Sequence, residues 1–126
     1  MPSGTILIAD DDVNLSEILK IQFSTLGYNV LVAHNGEEAE KVMTEKKPDV
    51  TILDIIMPKK SGIEVLESIR NNPLTKDLAI FVLTNLSQKK DEERVNALGV
   101  KEYILKINLS LDQLVEKVSQ CLHSAK

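Results

Sequence analysis

The stretch "ILIADDDVNL", residues 6–15, runs four apolar or small residues into three consecutive carboxylates, Asp10, Asp11 and Asp12. An apolar, β-branched run without polar alternation is expected of a strand buried on both faces. Adjacent carboxylates repel one another. Their place at the end of such a strand calls for either a solvated turn or a positive partner.

Similar runs recur along the chain. "TILIA" (5–9), "YNVLVA" (28–33), "VTILD" (50–54), "AIFVLT" (79–84) and "EYIL" (102–105) are short and rich in β-branched residues. Helical spacing fills the gaps. The last helix is the clearest, with Leu111, Leu114, Val115, Val118 and Leu122 on one face and Ser110 and Gln113 set as a capping box. The first carries Leu15, Ile18, Leu19 and Leu26 along one side and ends at Gly27, a natural left-handed stop. The second follows "NG" (35–36) with Ala39, Val42 and Met43. The third follows Gly62 with Ile63, Leu66 and Ile69 and stops before Pro73. The fourth, "SQKKDEERVNALG" (87–99), is the most polar, grips through Val95 and Leu98, and is expected to be the most mobile.

Strand and helix alternate with short links, and no linker or repeat interrupts them. Residues 1–126 therefore read as one domain, an α/β parallel sheet with helices on both faces joined by right-handed crossovers. In open sheets of this kind ligands bind beyond the carboxyl ends of the strands. The residues found there are Asp10–Asp12, Asp54, Thr84 and Lys106.

Carboxylates from two strands, a hydroxyl from a third and an ammonium from a fourth make a polar cluster. Oxygen ligands favour a hard cation, and a site with few protein ligands suits Mg²⁺. Asp54, after the apolar "VTIL", can serve as metal ligand and nucleophile, giving an aspartyl phosphate. Lys106 and Thr84 would offset charge on the phosphoryl oxygens. Plainer roles exist for each: Asp11 or Asp12 as a helix cap, Lys106 as an exposed lysine, Thr84 as the end of a β-branched strand. An EF-hand is excluded: Asp10, Asp12 and Asn14 match its opening, but Leu15 and Ile21 stand where Gly and Glu are needed.

Composition narrows the classes. The 126 residues are 43% hydrophobic and 27% charged, as in a globular protein. Net charge is −4 with lysines only in scattered pairs, so no basic stripe points to nucleic acid. No apolar run approaches the ~18 residues that cross a membrane, and "MPSGT" (1–5) shows no signal-peptide h-region. Cys121 is the only cysteine, and His34 and His123 show no metal spacing. A cytoplasmic location is expected.

The chain resembles the receiver domain of two-component response regulators along essentially its whole length. "ILIADDD" (6–12), "DVTILDIIMPKKSG" (49–62), "FVLT" (81–84) and "GVKEYILK" (99–106) carry the likeness. The resemblance implies a flavodoxin-like (βα)5 fold with strand order 2-1-3-4-5. It implies that Asp54 accepts a phosphoryl group from a phosphohistidine on a sensor histidine kinase or phosphotransfer protein. Asp11, Asp54 and the carbonyl of Ile56 would bind Mg²⁺, with Asp10 acting mainly through bound water and Asp12 capping the helix. Thr84 and Lys106 would engage the phosphoryl group. Tyr103 occupies the family's switch position, although an aromatic there equally fills the gap beside the fourth helix.

Departures are informative. Ile107 follows Lys106 where the family usually has a cis proline. A non-proline cis bond costs about 2.5–4 kcal/mol, so a trans peptide or a strained loop is expected. Asn85 replaces a small residue after Thr84, and Ile56 and Leu86 are apolar where polar side chains could orient water, which suggests slow self-dephosphorylation. The reading is a signalling switch, not an enzyme, acting on an unidentified output partner or domain through its fourth helix, fifth strand and fifth helix, which could also form a homodimer on activation. The alternative is a phosphorylation-independent interaction module. A haloacid-dehalogenase-type phosphatase would need Asp where Ile56 stands, and a mononucleotide carrier would not offer three carboxylates to a phosphate.

Overall fold

The computed structural model describes residues 4–124. Strands β1 (Thr5–Ala9), β2 (Asn29–Ala33), β3 (Val50–Leu53), β4 (Ala79–Thr84) and β5 (Glu102–Leu105) alternate with α1 (Val13–Thr25), α2 (Gly36–Lys46), α3 (Gly62–Asn71), α4 (Lys89–Ala97) and α5 (Leu111–Ser124). The strands form one parallel sheet in the order β2-β1-β3-β4-β5. This is the flavodoxin-like order expected.

Side chains alternate across each strand, and here both faces are covered. Ile6, Ile8, Ile52, Phe81 and Leu83 pack with Leu19, Phe23, Leu114, Val118 and Leu122 from α1 and α5. Leu7, Leu53, Ile80 and Val82 pack with Ala39, Met43, Leu66, Ile69 and Val95 from α2, α3 and α4. Two buried faces explain why the strands read as unbroken apolar runs.

Register places the rim. Ala9 pairs with Leu53, so Asp10 and Asp54 leave the sheet side by side. Thr84 pairs with Leu105, so Lys106 follows directly beside it.

One helix face needs correction. Ile18 and Leu26 of the first helix are exposed, at 45% and 42%. Its buried stripe is Ser16, Leu19 and Phe23, with Leu15 partly covered. Spacings of three and four from Ser16 reach Leu19 and Phe23, whereas Ile18 is rotated about 100° away from Leu19. A serine belongs in the stripe because its hydroxyl donates to the Asp10 carbonyl (3.3 Å).

The helix ends follow the expected chemistry. Asp12 caps α1, accepting the Leu15 N–H (3.1 Å), and Asn35 caps α2, accepting that of Glu38 (2.8 Å). Ser110 Oγ accepts the Gln113 N–H (3.3 Å), as the predicted box requires of Ser110. Gly27 and Gly99 stop their helices with φ of 97° and 77°, in the left-handed region. Lys106–Ile107 is trans, and residues 106–108 form a single 3-10 turn. Among the described residues no helix is long and apolar enough to cross a membrane.

Candidate functional site

Asp10 and Asp54 are buried, 3% and 4% exposed, at the ends of neighbouring strands. Two buried carboxylates with oxygens within 4.8 Å of each other call for a cation. Lys106 supplies one: its Nζ lies 2.9 Å from Asp10 Oδ2 and 3.1 Å from Oδ1, and donates to Asp54 Oδ2 at 2.9 Å. Backbone donors complete the shell. The Asp12 N–H donates to Asp10 Oδ1 (2.9 Å), and the Ile56 N–H to Asp54 Oδ1 (3.1 Å).

Charge at the cluster is still unbalanced. Asp10, Asp11 and Asp54 each offer an oxygen within 4.8 Å of the others, and Asp11 is exposed. Three carboxylates against one ammonium leave two negative charges. An all-oxygen donor set with that deficit, open to solvent at Asp11, fits a divalent hard cation such as Mg²⁺.

The electrostatics follow from burial. Desolvation raises Asp10 above the usual carboxylate range; the Asp54 charge adds to this, and the bonds from Asp12 and Lys106 offset only part. Burial pulls Lys106 down, but hydrogen bonds to Asp54 and Asp10, and their charges, leave it raised overall. The ammonium is therefore held in its charged form at the centre of the site.

Thr84 and Tyr103 meet through one residue that the sequence reading did not single out for this. Thr84 is fully buried, and its Oγ1 accepts the Leu86 N–H (3.3 Å). The Tyr103 hydroxyl donates to the Leu86 carbonyl. Leu86 thus links hydroxyl to phenol through its own backbone, a role no side-chain pattern reveals. Burial raises Tyr103, and the charges of Glu92, Asp91 and Asp54 raise it further, so it remains a neutral donor.

The Ile56 side chain is 55% exposed, and Asn85 is exposed as well. Leu86 is half-buried against the core on the side of the sheet covered by α2, α3 and α4. Gly62 opens α3. A Cβ there would lie 2.4 Å from the Asp54 carbonyl oxygen, so its lack of a side chain lets α3 abut the Asp54–Ile55 peptide. Cys121 and His123 lie on α5.

Comparison with known proteins agrees with this geometry. The family model described as the response regulator receiver domain matches residues 6–119. The phosphate regulon transcriptional regulatory protein PhoB of Pseudomonas aeruginosa is 33% identical over 84% of this chain and 46% of its own length. The polar-differentiation response regulator DivK of Brucella anthropi is 27% identical over 99% of this chain and 100% of its own. The solved Francisella response regulator 1452 receiver domain superposes with a TM-score of 0.88 at 26% identity, covering 98% of this chain and 99% of that one. This chain spans 39–53% of the length of the longer regulators it matches. Receiver domains are signalling modules of two-component systems that bind Mg²⁺ at an acidic pocket and interact with histidine kinases or phosphotransfer proteins. With its sheet order, its acidic rim and a match over nearly its whole length, the chain belongs to the response regulator receiver domain family.

Proposed function

We propose that residues 1–126 form a receiver that is switched by phosphorylation of Asp54. The observation that carries this is the buried pair Asp10 and Asp54 sharing one ammonium, with Asp11 within ligand reach. Asp54 would attack the phosphorus of a phosphohistidine on a sensor kinase or phosphotransfer protein. A P–O bond forms as the P–N bond breaks, and the electron pair leaves with the imidazole, which takes up a proton. Asp10, Asp11, Asp54 and the Ile56 carbonyl would hold Mg²⁺, with Asp10 acting through water. The ion supplies charge compensation to the phosphoryl oxygens when bound.

Lys106, already charged and bonded to Asp54, follows the negative charge onto the phosphoryl group. Thr84 gives up the Leu86 N–H to donate its hydroxyl proton to a phosphoryl oxygen. Because Leu86 also holds Tyr103, that exchange changes the Tyr103 rotamer and the α4–β5–α5 surface offered to an output partner or domain. Homodimer formation on activation would use the same surface. Exposed apolar Ile56 and half-buried Leu86 offer no group to orient water, which favours slow self-dephosphorylation. Acetyl phosphate with Mg²⁺ provides the test of phosphoacceptance, read by intact mass. A phosphoryl lifetime of seconds would contradict the slow-hydrolysis part.

A further inference from the structure

The β2–α2 turn (34–35) and the first residue of α2, Gly36, together touch both acidic loops. On one side the His34 Nδ1–H donates to the Asp10 carbonyl (3.1 Å), and the Asp10 N–H donates to the Ala33 carbonyl (3.0 Å). On the other side the Gly36 N–H donates to the Pro58 carbonyl (3.3 Å) in the loop that follows Asp54. A Cβ on Gly36 would lie 1.8 Å from the Lys60 carbonyl oxygen and 2.5 Å from its carbon. Both obstacles are backbone, so a methyl group there must displace the loop or the helix.

Displacement at Lys60 leads back to the nucleophile. Two residues on, the Gly62 N–H donates to the Ile55 carbonyl (2.8 Å), and the Gly62 Cα packs on the Asp54–Ile55 peptide. Lys60 itself ties the loop to both neighbouring helices, pairing with Glu40 of α2 and donating to Ser68 Oγ of α3 (3.2 Å). The path from Gly36 to Asp54 is therefore close-packed backbone, with little slack for side chains to absorb.

Mg²⁺ demands near-octahedral geometry with oxygens at about 2.0–2.1 Å. The β1–β3 ladder, ending in the Asp54 N–H on the Ala9 carbonyl (2.9 Å), and the shared Lys106 fix where the two acidic loops start. Past that point the segment from Pro58 to Lys60 is held against Gly36. We propose that the β2–α2 turn is a brace for the two acidic loops, with Gly36 as a positioning residue on the Asp54 side and His34 on the Asp10 side. This rests on the Mg²⁺-dependent reading above. Neither residue touches the reacting atoms; both act through backbone they hold in place.

The test measures Mg²⁺ binding to the whole chain by calorimetry, and Mg²⁺-dependent phosphorylation from acetyl phosphate. For Gly36→Ala the affinity should fall about ten-fold or more, the usual range for lost outer-shell support. Half-saturating Mg²⁺ should rise in step while the rate at saturating Mg²⁺ changes little, and the Ile56 amide resonance should shift. His34→Phe, at an exposed position, should weaken binding less, and Glu37→Ala on the same helix turn should leave it unchanged. A merely structural glycine would lower the melting temperature with Mg²⁺ affinity intact, and that result overturns the brace. If Gly36→Ala does not fold, His34→Phe decides: unchanged Mg²⁺ affinity overturns the proposal. Wild-type protein that neither binds Mg²⁺ nor gains a phosphoryl group would instead refute the underlying reading.

Discussion

Helices α3 and α4 both begin at the rim of the acidic site, yet they are built in opposite ways. α3 opens on a full capping box, Ser61 with Glu64, and buries Ile63, Val65, Leu66 and Ile69. α4 opens at Gln88 with no side-chain cap and buries Val95 alone. Arg70, from the end of α3, fastens the far end of α4 by donating to the carbonyls of Leu98 (2.7 Å) and Gly99 (3.2 Å). So α4 is held at the end remote from Thr84 and weakly held at the end beside it. The side that carries Asp54 is firmly capped and packed, and the side beside Thr84 is the more loosely anchored.

That contrast can be broken by measurement. Leu66→Ala in α3 should cost about 2–5 kcal/mol in denaturant unfolding, whereas Val95→Ala in α4 removes two methyl groups and should cost about 1–2 kcal/mol. Equal losses would mean that α4 is as firmly built in as α3. Next come the caps. Ser61→Ala should cost about 1 kcal/mol, and Gln88→Asp should stabilise by up to about 1 kcal/mol, because α4, unlike α3, lacks a side-chain cap to begin with. Amide exchange in residues 89–97 should slow in Gln88→Asp; unchanged exchange would argue that α4 does not fray from that end.

The rigid side has a flaw of its own. Thr51, in register with Leu7 and Ile80, is fully buried, and its Oγ1 meets no hydrogen-bond partner among the described residues. Thr51→Val keeps the shape and removes the stranded hydroxyl, so it should stabilise the fold by about 1 kcal/mol. A loss of stability would point to a partner for that hydroxyl.

The gentlest effects are those of pH. Asp10 is raised, so the fold binds its proton more tightly than the unfolded chain does. Stability from this group is therefore lost as pH rises from about 3.8 through the higher folded value. Lys106 is raised too, so its contribution is full below about 10.5 and disappears as pH rises through its folded value. Melting temperature followed across pH should show both declines. Added Mg²⁺ should raise it more at pH 8 than at pH 4, where protons compete for Asp10.

Much of this was legible in the sequence for a definite reason. Strands buried on both faces read as unbroken apolar runs, and parallel register carries their ends to one rim, so the sequence alone brings Asp10, Asp54, Thr84 and Lys106 together. Asp12 as a cap needed only the side-chain type and the helix after it. What escaped was non-local or carried by backbone. Phe23 and Ser16 displaced Ile18 and Leu26 from the buried stripe because the sheet, not helical spacing alone, selects the inner face of α1. Leu86 joins Thr84 to Tyr103 through peptide atoms that any residue but proline could supply. The tight approach of Gly36 to Lys60 depends on two segments far apart in the chain.

The central claim is that Asp54 is a Mg²⁺-dependent phosphoacceptor, and intact mass after incubation with acetyl phosphate tests it most directly. A single phosphoryl adduct that needs Mg²⁺, weakens in Asp11→Ala and is absent from Asp54→Asn is the predicted result. No adduct on the wild-type chain, or one that persists in Asp54→Asn, would contradict it.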